Sequence, residues 1–145
     1  MELSGTPSAP TARQVPDPAT RRVLVVDDEP SVLAVTARIL RDAGYVAVEA
    51  PNAREALRLL ERGDPPINLV ITDVVMPETD GRALGRLIAE RQLGLPVAYM
   101  SAYAADDVLH RGSPGPNLPF LRKPFSAEAL VALVQQLLAA QRPAP

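Results

Sequence analysis

The sequence predicts an α/β fold in which a parallel sheet of five strands is covered by helices on both faces. Two observations predict it. Short, continuous apolar runs such as Val23-Leu24-Val25-Val26 recur along the chain, bounded by turn residues, as strands buried on both faces require. Between them lie segments whose apolar residues repeat at helical spacing, and strictly alternating strands and helices imply parallel pairing.

The elements follow in order. Residues 1–20 carry prolines at 7, 10, 16 and 18 among Ser, Thr and Gly, the composition of a disordered leader that cannot offset its ordering entropy. Val23 to Val26 is the first strand. Pro30 sits where the first turn of a helix accepts it, Val32, Val35, Ile39 and Leu40 supply an apolar stripe, and Gly44 is the stop. Tyr45 to Ala50 is the second strand. Asn52, with Glu55 three residues on, caps a helix whose apolar side holds Leu57 and Leu60. Gly63-Asp64-Pro65-Pro66 ends it.

Ile67 to Thr72 forms the third strand and delivers Asp73 at its end. After the loop Val74–Gly81, in which Asp80-Gly81 is turn chemistry, comes a helix with Leu84, Leu87 and Ile88 on one side and Gly94 at its close. Val97 to Ser101 is the fourth strand. Ala104 to His110 has room for a short helix only, because Pro114, Gly115 and Pro116 follow. Phe120-Leu121 is a brief fifth strand. Ser126 caps the last helix, which has Leu130, Leu133, Val134, Leu137 and Leu138 on its inner face. The domain therefore spans 21–140, with a short tail over 141–145.

Composition narrows the function. Fifteen basic and 17 acidic residues leave a formal charge of −2, which gives no support to a nucleic-acid surface. There is no cysteine, hence neither a disulfide framework nor a thiolate metal site. No signal peptide or bilayer-length apolar run is present, so a cytoplasmic, membrane-free protein is expected.

In open α/β sheets, sites form beyond the carboxyl ends of the strands. Those ends carry Asp27 and Asp28, Asp73, Ser101 and Lys123. Two carboxylates about 4 Å apart repel by roughly 4 kcal/mol at an effective dielectric near 20, so three together call for a cation. Mg²⁺ suits an all-oxygen set and often binds carboxylates together with phosphate. With His110 as the sole histidine, softer metals have little to hold them. A carboxylate beside Mg²⁺ can attack phosphorus, and Lys123 and Ser101 are the groups available to steady the transferring charge. Taken singly, Asp27 and Asp28 could cap the next helix, Asp73 could be a turn residue, Ser101 could satisfy backbone, Lys123 could be a solvated lysine and Phe120 a core aromatic. Their company at one sheet edge favours the functional reading.

Four stretches in order complete the pattern: Val-Leu-Val-Val-Asp-Asp-Glu (23–29), Asp-Val-Val-Met-Pro-Glu-Thr-Asp-Gly (73–81), Ser-Ala-Tyr (101–103) and Phe-Leu-Arg-Lys-Pro-Phe (120–125). With them the chain resembles the receiver domains of bacterial two-component response regulators, over roughly residues 21–140. The resemblance implies a flavodoxin-like strand order 2-1-3-4-5. It implies Asp73 as phosphoacceptor, and Asp27, Asp28, Asp73 and the backbone carbonyl of Val75 as Mg²⁺ ligands. Ser101 and Lys123 would contact phosphoryl oxygens, and Phe120 would hold the switch position, read by packing alone because Phe has no hydroxyl. Val75 and Tyr103 would tune access of water, and an apolar Val with a bulky Tyr implies slow self-dephosphorylation.

The implied donor is a histidine kinase or histidine phosphotransfer protein, and the implied output is contact with a downstream protein. The short segment 104–116 resembles the loop-like stretch in receivers of hybrid sensor kinases. About 20 residues follow Lys123, room for one helix, so no DNA-binding or enzymatic output module is expected. Two rivals remain: a phosphorylation-independent interaction module on the same fold, and an Mg²⁺-dependent phosphatase with an aspartyl nucleophile. Phosphatases of the haloacid-dehalogenase type carry Asp-x-Asp on the first strand, whereas this chain has adjacent Asp27-Asp28 and its nucleophile candidate on the third.

Overall fold

A computed structural model describes residues 21–63, 65–76, 80–91, 95–102 and 119–140. The expected leader, the segment 103–118 with Tyr103, His110 and the short helix, Gly94 and the tail lie outside these residues. The described elements are β1 (Arg22–Val26), α1 (Pro30–Asp42), β2 (Val46–Ala50), α2 (Ala53–Arg62), β3 (Leu69–Asp73), α3 (Gly81–Arg91), β4 (Val97–Ser101), β5 (Phe120–Arg122) and α4 (Ala127–Ala140). The five strands pair in parallel in the order β2-β1-β3-β4-β5.

Both faces of the sheet are buried, which is why β1 and β3 read as unbroken apolar runs. Val23, Val25, Leu69, Ile71, Ala98 and Met100 pack beneath Leu33, Ala37 and Leu40 of α1 and Leu130, Val134 and Leu138 of α4. Their neighbours Leu24, Val26 and Val70 point the other way, against Ala53, Ala56 and Leu60 of α2 and Leu84 and Ile88 of α3.

Capping follows the sequence. Asn52 Oδ1 accepts from Glu55 N–H at 2.8 Å, Asp80 Oδ1 from Ala83 N–H at 2.8 Å, and Ser126 Oγ from Ala129 N–H at 3.0 Å. Asp80-Gly81 is thus a helix start. Gly63 closes α2 in the left-handed conformation at φ +69°, which glycine adopts without steric cost.

Two expectations are corrected. In α1 the buried residues are Leu33, Thr36, Ala37 and Leu40, while Val35 is 57% exposed. Of the predicted stripe, Leu40 is buried and Ile39 packs against the same core at its edge, whereas Val35 is turned to solvent and Val32 is only half-buried. β3 begins at Leu69 rather than Ile67. Asn68 precedes it, accepting from Arg22 N–H through Oδ1 at 2.8 Å and donating its own N–H to Arg22 O at 2.8 Å, so its side chain stands in for a ladder bond.

Candidate functional site

The parallel ladder brings the carboxyl ends of β1, β3 and β4 to one edge. Asp27 follows β1, its N–H bonded to Ala50 O at 3.2 Å, and is fully buried. Its Oδ1 accepts from Glu29 N–H at 2.9 Å, so the carboxylate does help start α1. Asp28 is exposed. Asp73 ends β3 opposite Met100 of β4 and is only 7% exposed. One oxygen from each of Asp27, Asp28 and Asp73 lies within 4.8 Å of the others.

Lys123 comes from the turn after β5, where its N–H donates to Ser101 O at 2.8 Å. Its Nζ donates to Asp27 Oδ2 at 2.8 Å and lies 3.4 Å from Asp73 Oδ1. It is the one lysine in the sequence; the other fourteen cationic residues are arginines.

The electrostatics reflect crowding. Burial pushes the Asp73 carboxyl up to about 6; the Lys123 ammonium works against this, and the negative charges of Asp27 and Asp28 add to it. For Lys123, burial alone would lower the value. The hydrogen bond to Asp27 and the charge of Asp73 outweigh it and hold the ammonium above the ordinary lysine range. The net result is a carboxylate poorly compensated by one lysine, facing two further acids. An all-carboxylate oxygen set of this kind can hold a hard metal ion.

The other candidate residues lie on the strands and loop that carry this cluster or on β5. Ser101 is buried at the end of β4. Val75, two residues beyond Asp73, is 53% exposed. Phe120 is half-buried, in register with Tyr99 and packed with Tyr99 and Val74. Tyr103 lies outside the described residues.

Sequence reasoning missed the role of Gly81. A Cβ on it would fall 2.1 Å from the Asp73 carbonyl oxygen, and its N–H donates to Val74 O at 2.8 Å. Gly81 is there because α3 starts against the backbone of Asp73. The Asp-Gly pair is the available signal, but it reads as turn chemistry before a helix, with nothing to show the close approach.

Comparison with known proteins agrees with this geometry. The family model described as response regulator receiver domain matches residues 23–135. The chain belongs to the response-regulator receiver family. It is 34% identical over 119 residues to the sensor kinase CckA of Brucella abortus, covering 82% of this chain and 13% of that protein. It is 39% identical over 116 residues to an uncharacterised 14.6 kDa protein of Leptolyngbya boryana, covering 79% of this chain and 87% of that one.

Among solved structures, a response regulator receiver protein of Sinorhizobium medicae matches with a TM-score of 0.74 at 30% identity, covering 83% of this chain and 96% of that chain. The receiver domain of the hybrid histidine kinase CckA matches with a TM-score of 0.67 at 35% identity, covering 81% and 98%. As a receiver, the domain is a phosphoacceptor of two-component signalling rather than a turnover enzyme. That sets the phosphatase alternative aside. No helix among the described residues is long and apolar enough to cross a membrane.

Proposed function

We propose that Asp73 accepts a phosphoryl group from a phosphohistidine on a histidine kinase or histidine phosphotransfer protein, and that the domain signals through protein contact without nucleic acid or membrane. The observation that carries this reading is the buried Asp73 carboxylate, 3.4 Å from Lys123 Nζ and clustered with Asp27 and Asp28 within 4.8 Å.

The donor set fits Mg²⁺: it is oxygen-only and anionic, and Lys123 alone leaves Asp73 raised to about 6. Asp27, Asp28, Asp73 and the Val75 backbone carbonyl would hold the ion. When bound, Mg²⁺ neutralises charge on the phosphoryl oxygens.

In the transfer, an Asp73 Oδ attacks phosphorus, the P–N bond breaks, and the leaving imidazole of the donor takes a proton from solvent. Asp73 must be ionised to attack. At pH 7 it is above its midpoint, and the Lys123 ammonium favours that state. Lys123 then shifts from Asp27 toward a phosphoryl oxygen, and the Ser101 hydroxyl donates to another. Phe120 follows Ser101 through repacking against Tyr99 and Val74, which converts local charge into a change of surface. Val75 and Tyr103 set the access of water, giving slow self-dephosphorylation.

Intact mass after incubation with acetyl phosphate and Mg²⁺ tests this. A single phosphoryl adduct is expected on the wild type, absent in Asp73→Asn and absent with EDTA. A folded wild type that binds Mg²⁺ yet gains no adduct would favour the phosphorylation-independent interaction module.

A further inference from the structure

We infer that Thr72 is a positioning residue for the Asp73 site, its hydroxyl fixing the backbone that presents both the Asp73 carboxylate and the Val75 carbonyl. Thr72 is fully buried and in register with Val26 of β1 and Tyr99 of β4. Alternation along β3 puts it on the α2–α3 face, opposite the side chain of Asp73. Threonine in such a strand passes for an ordinary β-former. A hydroxyl buried there nevertheless requires an acceptor, and Thr72 Oγ1 donates to the carbonyl oxygen of Asp73 at 2.9 Å.

That oxygen is the one against which Gly81 leaves no room for a Cβ. The next two backbone groups are also engaged. Val74 N–H donates to Met100 O at 3.0 Å, and Val74 O accepts from Gly81 N–H at 2.8 Å. Three consecutive backbone groups between the Asp73 side chain and Val75 are thus each held, one from β4, one from α3 and one by a side chain. Only the last can be removed without altering the main chain. Replacing the hydroxyl with an isosteric methyl group leaves the Asp73–Val74 peptide plane held only through the Val74 N–H, with the Asp73 carbonyl less firmly fixed. Ligands on either side of it then lose part of their preorganisation.

This inference rests on the reading of Asp27, Asp28 and Asp73 as an Mg²⁺ site. Its test is calorimetric titration of Mg²⁺ into the wild type, Thr72→Val and Thr72→Ser, with acetyl phosphate kinetics and thermal unfolding on the same samples. Thr72→Val is expected to raise the Mg²⁺ Kd about fivefold, the size of one ordinary hydrogen bond. It should slow phosphorylation more at low Mg²⁺ than at saturating Mg²⁺. Thr72→Ser keeps the hydroxyl and should retain the wild-type Kd even as loss of its methyl lowers the Tm.

A Thr72→Val protein with wild-type Kd and altered Tm overturns the inference, leaving Thr72 a merely structural residue. So does a Thr72→Ser protein whose Kd rises, an outcome that decides the matter even if Thr72→Val does not fold. A wild type that binds no Mg²⁺ sinks the proposed function and this inference with it, whereas a wild type that binds beside an unaffected Thr72→Val sinks the inference alone.

Discussion

The two helices that flank the acidic edge meet the sheet on different terms. α3 lies close. It starts with Gly81 against the Asp73 carbonyl, and one turn later a Cβ on Gly85 would fall 2.1 Å from the Tyr99 hydroxyl. The large Tyr99 on β4 fills the space that Gly85 leaves, a large-for-small exchange between sheet and helix. α1 is looser. Val32, Val35 and Ile39 border an open groove of about 470 Å³ that runs to Lys123, Pro124 and Phe125. The buried Thr36 hydroxyl in its wall has no hydrogen-bond partner among the described residues. Close contact sits where Asp73 must be held still, and an open groove sits beside the Lys123 turn.

The largest effect that could break this contrast is expected at Gly81. Gly81→Ala forces a backbone shift at Asp73 itself, because the obstructing atoms are main chain. We expect a loss of about 3 kcal/mol or more in denaturant unfolding, with loss of the phosphoryl adduct. Wild-type stability in this variant would mean that α3 is not tightly seated.

Next is Asp73→Asn in magnesium-free buffer. The carboxyl is raised from 3.8 to about 6, so the folded state holds its proton where the unfolded state has lost it. Asp73 therefore subtracts stability progressively as pH rises from about 4 to about 6, and its full cost is present above that. Asp73→Asn should be more stable than the wild type by about 2 to 3 kcal/mol at pH 7, with the difference vanishing below about pH 4. A pH-independent difference would contradict the sign.

The smallest effect is expected in α1. Thr36→Val removes a buried hydroxyl with no partner among the described residues and keeps the shape, so a gain of about 1 kcal/mol is expected from thermal unfolding. A loss of similar size would show that the hydroxyl has a partner in solution and that α1 sits closer than described.

Much of this was legible in the sequence, for a physical reason. Strand ends can be read from where apolar runs stop, and parallel topology sends every carboxyl end to one edge. Asp27, Asp28, Asp73, Ser101 and Lys123 could therefore be placed near one another without coordinates. The phase of α1 could not. Val32, Val35, Ile39 and Leu40 form one stripe at helical spacing and Leu33, Ala37 and Leu40 another, and only the docking of the helix decides which faces the sheet. Gly81 and Thr72 were opaque for a different reason. Their significance lies in distances to a neighbouring carbonyl, which no pattern of residue types records. Tyr103 and the segment around it lie outside the described residues.

One feature of the site also makes this chain its own reporter. Because Lys123 is the sole lysine, an amine-directed reagent meets a single ε-amine besides the terminus, and that amine is clasped by Asp27 and Asp73. Its acylation rate is a direct gauge of how firmly those carboxylates hold it. Release of the lysine can be followed by ordinary labelling chemistry, with no probe introduced and no residue changed.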